Sequence, residues 1–257
     1  MRRNLFVAAT TFLAFLLATP ASPQTARTGT QSTPQALKST YDQAMQARDW
    51  PAALAAAQQL VDANATSANL LLLANAQFYA TTGATTGQSN TGALEASLAT
   101  YDRALTAAHQ EKPAPGQPDQ AQPDQAWKDD VSKIYVGKGN ALLKLKRTAE
   151  AIDNYNRAAD LSSTPGKAYF NVCAVTYNSG DVNGAVTACR KAAAVDPARA
   201  DTWFILGSVL FMDAKPDAQG KFVISAECRQ ALEKYIELAP DGSHAADTKQ
   251  MLDAAAK

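Results

Sequence analysis

A chain of 257 residues with 24 basic and 24 acidic side chains has no cationic surplus with which to hold nucleic acid or an anionic lipid surface. Its length suits one elongated domain or two compact ones. Alanine dominates while glycine and aromatic residues are few, a composition that favours helix.

In chain order, residues 1–21 read as a secretory signal peptide. Arg2 and Arg3 make a positive start, Leu5 to Leu17 is apolar, and Thr19-Pro20-Ala21 sets small residues before a cleavage point. An uncleaved anchor is the second reading, and the apolar stretch is short for it, because a span needs about 20 such residues. Cleavage implies a periplasmic or secreted bacterial protein with no integral membrane span. Residues 22–33 are small and polar, a disordered leader. Gln35–Gln46 and Ala52–Ala63 read as helices around a turn at Asp49-Trp50-Pro51, with Pro51 early in its helix, where the missing N–H is harmless. Ser67 to about Tyr79 is a third helix, apolar on every side at Leu70–Leu73, as expected of a helix buried on both flanks. The Gly/Thr-rich stretch 81–93 reads as a loop, and Glu95–Ala108 as helix again. Residues 109–125 hold four prolines and a doubled Gln-Pro-Asp-Gln, so 109–127 reads as a flexible, partly extended linker.

From Ser132 onward the sequence repeats at a period of 34. Tyr135, Tyr169 and Trp203 are in phase, as are Gly139, Cys173 and Gly207, and Leu142, Thr176 and Leu210. So are the pairs Ala151/Ala185, Tyr155/Cys189, Ala158/Ala192 and Leu161/Val195. Small residues at Gly139, Ala151 and Ala158 let two helices approach, and Tyr135, Leu142 and Tyr155 fill the gaps. Each pair leaves an apolar face that only a neighbouring pair can bury. The pattern resembles the tetratricopeptide repeat (TPR) family. The resemblance implies an all-α helix–turn–helix solenoid of about five repeats. A degenerate N-terminal pair would span 34–108 and three better repeats 128–242, with a capping helix at 243–257 that starts from Ser243 as its N-cap. The second repeat's turn is longer than the template by about eleven residues. The fifth carries about nine extra near Asp213–Ser225, where Lys221–Ser225 suits a small hairpin.

No catalytic constellation stands out. His109 and His244 lack partners at ligand spacing, the Gly/Thr loop lacks the Lys-Ser/Thr ending of a phosphate loop, and no cysteines have metal spacing. Neither enzyme activity nor a cofactor is expected. The resemblance implies instead a concave groove lined by the first helix of each repeat. Its positions are Val136, Asn140, Leu143 and Lys144, then Phe170, Ala174, Tyr177 and Asn178, then Phe204, Ser208, Phe211 and Met212. Asn140 and Asn171 match two positions of the family's carboxylate clamp, but Val136, Asp201 and Ile205 replace its basic residues, which argues against a clamp. The groove is apolar and aromatic toward its C-terminal end, which suits an apolar or amphipathic peptide. Alternatively, the capping helix or the 213–225 insertion covers Phe204, Phe211 and Met212. Cys173 and Cys189 fall at in-facing positions of one helix pair. Either they are bridged, as export allows, or they are small buried side chains like Cys228. The expectation is a scaffold for a protein or peptide partner in the bacterial envelope. The alternative is an assembly subunit that uses its convex face or N-terminal repeats.

Overall fold

The computed structural model describes residues 33–82, 90–113 and 122–255. The signal peptide and the leader up to residue 32 lie outside these, as do residues 83–89 of the Gly/Thr loop and 114–121 of the linker. Thr33–Lys257 is one compact unit.

Helical hairpins follow one another through this unit. They are α1 (Pro34–Ala47) with α2 (Trp50–Ala63), α3 (Ser67–Thr82) with α4 (Thr91–Gln110), and α5 (Gln122–Lys144) with α6 (Thr148–Leu161). Then come α7 (Gly166–Asn178) with α8 (Val182–Val195), α9 (Ala200–Phe211) with α10 (Ala226–Leu238), and a last helix α11 (Ala245–Ala254). Each helix packs on the one before it, and first helices of neighbouring hairpins meet, α3 on α5 and α7 on α9. This is the stack a 34-residue period demands, because each hairpin's apolar face is covered by the next.

Local chemistry sets the helix ends. Thr33 accepts a hydrogen bond from Ala36 N at 3.2 Å, Asp49 from Ala52 N at 3.1 Å, Asp181 from Gly184 N at 2.9 Å and Ser225 from Cys228 N at 3.1 Å. Thr33, read as the end of the leader, is thus the cap of α1. Between helices the core alternates small and large. Ala53, Ala74, Ala104, Ala151, Ala158, Ala185 and Ala192 are fully buried beside the equally buried Tyr101, Tyr155 and Tyr235. Cys173 and Cys189 join α7 to α8 as a disulfide with Cα atoms 4.7 Å apart. Cys228 is free and buried, and its thiol donates to the Gly207 carbonyl at 3.4 Å.

Three local expectations are corrected. First, α5 begins at Gln122, inside the stretch read as linker. The added turns are anchored by Trp127, whose Nε1 donates to the Ala108 carbonyl at 2.7 Å, and by an Asp124–Lys128 pair at 2.7 Å. Second, Ser243 does not cap α11. His244 holds that place without a side-chain cap, its N–H donating to the Tyr235 hydroxyl at 2.9 Å. Third, Leu70 and Leu73 are buried, but Leu71 and Leu72 are only half-buried and line a cleft. The insertion in the fifth repeat forms a hairpin of β1 (Lys215–Pro216) and β2 (Phe222–Val223). Asp217 Oδ1 accepts from both Gln219 N and Lys221 N at 2.9 Å, and Gly220 takes φ +76°, which a side chain would oppose. Phe222 bridges to Ala255 and Lys221 Nζ donates to the Asp253 carbonyl at 2.7 Å, so the hairpin is clasped to the end of α11.

Candidate binding groove

The first helices of three successive hairpins bring one face together. Leu71, Asn75 and Tyr79 are spaced by four along α3 and so share a face. Lys133, Val136, Gly137 and Asn140 do the same on α5. With Asp129, Ser132, Lys167 and Ala168 they enclose a cleft of about 500 Å³. A second cleft of about 550 Å³ adjoins it, sharing Leu71 and Lys133, and lies between α1, α3 and α5. Its walls include Leu60, Ala68, Leu72 and Ile134, so it is the more apolar of the two.

Two buried tyrosines orient the amides in the first cleft. The Tyr155 hydroxyl donates to Asn140 Oδ1 at 2.7 Å, and the Tyr101 hydroxyl donates to Asn75 Oδ1 at 2.7 Å. The O/N assignment follows from this network. Burial pushes the Tyr155 phenol up to about 12 and raises Tyr101 further, so both remain neutral donors. Burial also pushes Tyr41 up to about 12, against a smaller opposing effect of its hydrogen bond with Asn75. With its oxygen held by Tyr155, Asn140 lines the cleft, and its NH₂ makes no hydrogen bond among the described residues.

The charges are unequally engaged. Asp129 accepts from Ser163 N at 2.6 Å, Ser163 Oγ at 2.8 Å and Gln125 Nε2 at 3.1 Å, and the two Ser163 bonds chiefly hold its carboxyl below the usual range. Lys133 pairs with Asp130 at 2.7 Å, both highly exposed. Lys167, which the 34-residue period relates to Lys133, has no ion pair among the described residues.

Of the residues predicted from the sequence, Val136 and Asn140 line this cleft. Leu143, Lys144 and Asn178 are exposed beyond it, and Tyr177 is half-buried against the core. The aromatic C-terminal end is closed rather than open. Phe204 stacks on His244 with centroids 3.9 Å apart, Phe211 packs on Phe222 at 5.4 Å, and the Arg199 guanidinium lies 5.0 Å over Phe170. Ser208 Oγ is buried without a hydrogen-bond partner among the described residues, and Met212 alone of this group stays open, at 59% exposure. Sequence reasoning missed Leu71, Asn75 and Tyr79. The Asn-to-Tyr separation is 26 residues in the second hairpin against 15 in the third, the difference being the length of the insertion, but groove positions were placed on the last three repeats alone. The shared spacing of Leu71/Asn75 and Val136/Asn140 was the signal that could have found them.

Among the described residues no three His, Cys, Asp or Glu side chains are placed to hold a metal ion, and no helix is long and apolar enough to cross a membrane.

The tetratricopeptide repeat model matches residues 132–165. No curated protein matches the chain. Several solved structures do. YrrB, described as a TPR protein with an unusual peptide-binding site, shares 16% identity at a TM-score of 0.51, over 82% of this chain and 88% of that one. MamA shares 15% at 0.52, over 81% and 93%. MamA from Desulfovibrio magneticus RS-1, residue 41 to the end, shares 14% at 0.51, over 82% and 97%. At such identities the likeness is one of fold. Residues 132–165 are a tetratricopeptide repeat, and the helical stack that contains them has the fold of a TPR solenoid, similar to those of YrrB and MamA.

Proposed function

We propose that this chain is a non-enzymatic scaffold that receives an extended segment of a partner protein across α3, α5 and α7, and that it works in the bacterial envelope after export. The observation that carries the binding half is the Asn140 amide. Tyr155 engages its oxygen, and the side chain lines a cleft of about 500 Å³ with its NH₂ free to donate to a ligand. A buried tyrosine holding a groove amide in one orientation lowers the entropy lost when a main-chain carbonyl is bound there. The peptide-binding description of YrrB, which shares the fold, is consistent with this use. For the location, the signal-like residues 1–21 are the argument, and a disulfide between Cys173 and Cys189 suits an oxidising compartment.

The test is to pan a displayed random-peptide library on the full chain. Peptides enriched by the wild type and lost with Asn140→Asp, which keeps the acceptor for Tyr155 but removes the NH₂, support the groove. Equal enrichment by both proteins counts against it. Fractionation, with the mature N-terminus read by mass spectrometry, tests export. A start at Ser22 supports it, and an intact Met1 in the cytoplasmic fraction refutes it.

A second surface favours the assembly reading. A cleft of about 450 Å³ lies between α6, α7 and α8, with Ile152, Val172 and Ala188 among its walls. A stable homo-oligomer in size-exclusion with light scattering, broken by Thr187→Arg, would shift the assignment to that face.

A further inference from the structure

The two adjoining clefts differ in chemistry, and this difference specifies an occupant. Resting on the groove reading above, we infer that the segment recognised is extended and carries a bulky apolar side chain that enters the α1–α3–α5 cleft. An acidic side chain about five or six residues away meets Lys167. The apolar anchor follows from the walls. Leu60, Leu71, Leu72 and Ile134 surround a space of about 550 Å³, open beside Ala68, an exposed residue of α3. Leu71 and Lys133 belong to both clefts, so one ligand passes from the first to the second without leaving the groove.

The acidic side chain follows from charge complementarity at the α7 end. Asp129 lines the cleft, Asp130 lines the adjoining one, and Asp196 lies beside Lys167, and all three are engaged. Asp129 takes three hydrogen bonds from Ser163 and Gln125, Asp130 is paired with Lys133, and Asp196 is paired with Arg199 at 3.0 Å. Lys167 is the cation left over among the described groove residues. Asn140 lies between the two ends and offers its NH₂ to a main-chain carbonyl. The spacing follows from helix packing. Neighbouring first helices lie roughly 8–10 Å apart. Two such steps, from α3 to α7, take about five or six residues of extended chain at roughly 3.3 Å each.

The panning experiment is extended with two variants of exposed residues. Ala68→Trp fills the apolar cleft, and Lys167→Glu reverses the charge at its far end. Enriched peptides are expected to pair an aromatic or Leu with Asp or Glu at the stated spacing. Ala68→Trp should weaken them about tenfold or more, equivalent to about 1.4 kcal/mol. Lys167→Glu should change the acidic preference to a basic one. Enriched peptides lacking both features, or binding indifferent to Ala68→Trp and Lys167→Glu, overturn this inference. If Asn140→Asp still abolishes that binding, the groove reading survives the loss. If no peptide depends on Asn140, both fall. A concentration-dependent dimer that Ala68→Trp dissociates also overturns the inference, because the occupant would then be a second copy of the chain. Unchanged circular dichroism and melting for each variant keep misfolding out of the comparison.

Discussion

A Cβ built on Gly139 of α5 would come within 2.6 Å of Cε1 of Tyr155 on α6. The same two places in the next hairpin hold Cys173 and Cys189, joined covalently. In the hairpin after that they hold Gly207 and Leu232, where a Cβ would come within 2.6 Å of Leu232 Cδ2. One helix–helix contact is therefore made in three ways: a ring over a bare backbone, a disulfide, and a branched aliphatic over a bare backbone. We expect Gly139→Val to cost about 1–3 kcal/mol by overpacking, measured by urea unfolding. Because the contact geometry repeats, Gly139→Cys/Tyr155→Cys should form a second disulfide, detected as the loss of two titratable thiols in denaturant. Two free thiols at those positions would show that the hairpins are not superposable there.

The native disulfide closes a loop between residues 16 apart, so Cys173→Ala/Cys189→Ala should lose about 3 kcal/mol in the chain-entropy model. Both cysteines are fully buried, and reductant should leave the native protein's melting unchanged until denaturant opens the α7–α8 hairpin. Cys228 should resist alkylation in the same way, since it is buried and burial raises its thiol to about 11. Rapid labelling of Cys228 in the folded state would contradict this packing.

The N-terminal hairpins and the later ones meet directly. A Cβ on Gly137 would lie 2.5 Å from Tyr101 Cε1, Lys138 pairs with Asp102 at 2.5 Å, and Trp127 is bonded to the end of α4. In a solenoid, cooperativity resides in such interfaces. The wild type should unfold in a single transition, whereas Gly137→Leu, which pushes α5 off Tyr101, should split it in two. Calorimetry decides between these outcomes, and a single transition for the variant would mean that the interface is not the coupling element.

Alkaline pH should unfold the chain from its tyrosines. The ordinary phenol value is 10.0, and burial raises Tyr41 and Tyr155 to about 12 in the folded state. Folding therefore retains protons that the unfolded chain releases. Stability is intact below pH 10 and is lost progressively as pH rises from 10 toward 12. Tyr155→Phe should flatten that slope. It should also cost about 1 kcal/mol at neutral pH through the lost bond to Asn140. Urea midpoints across this pH range, read beside tyrosinate absorbance, test both effects.

The sequence by itself determined the helical hairpins and their stacking. The alternation of Gly139, Ala151 and Ala158 with Leu142 and Tyr155 records contacts within and between neighbouring hairpins, and such contacts fall at fixed separations along the chain. What the period could not convey is which groove positions remain open. Phe204 is covered by His244 and Phe211 by Phe222, side chains delivered by the capping segment and by an insertion that has no place in the period. Asn75 escaped notice because the resemblance placed groove positions on the last three repeats alone, although the bond Asn75 makes with Tyr101 matches that of Asn140 and Tyr155. Only the tertiary structure decided that the open surface runs over α1, α3, α5 and α7 rather than toward the aromatic end. Burial of a side chain depends on whatever segment folds over it, and that segment can come from any distance along the chain.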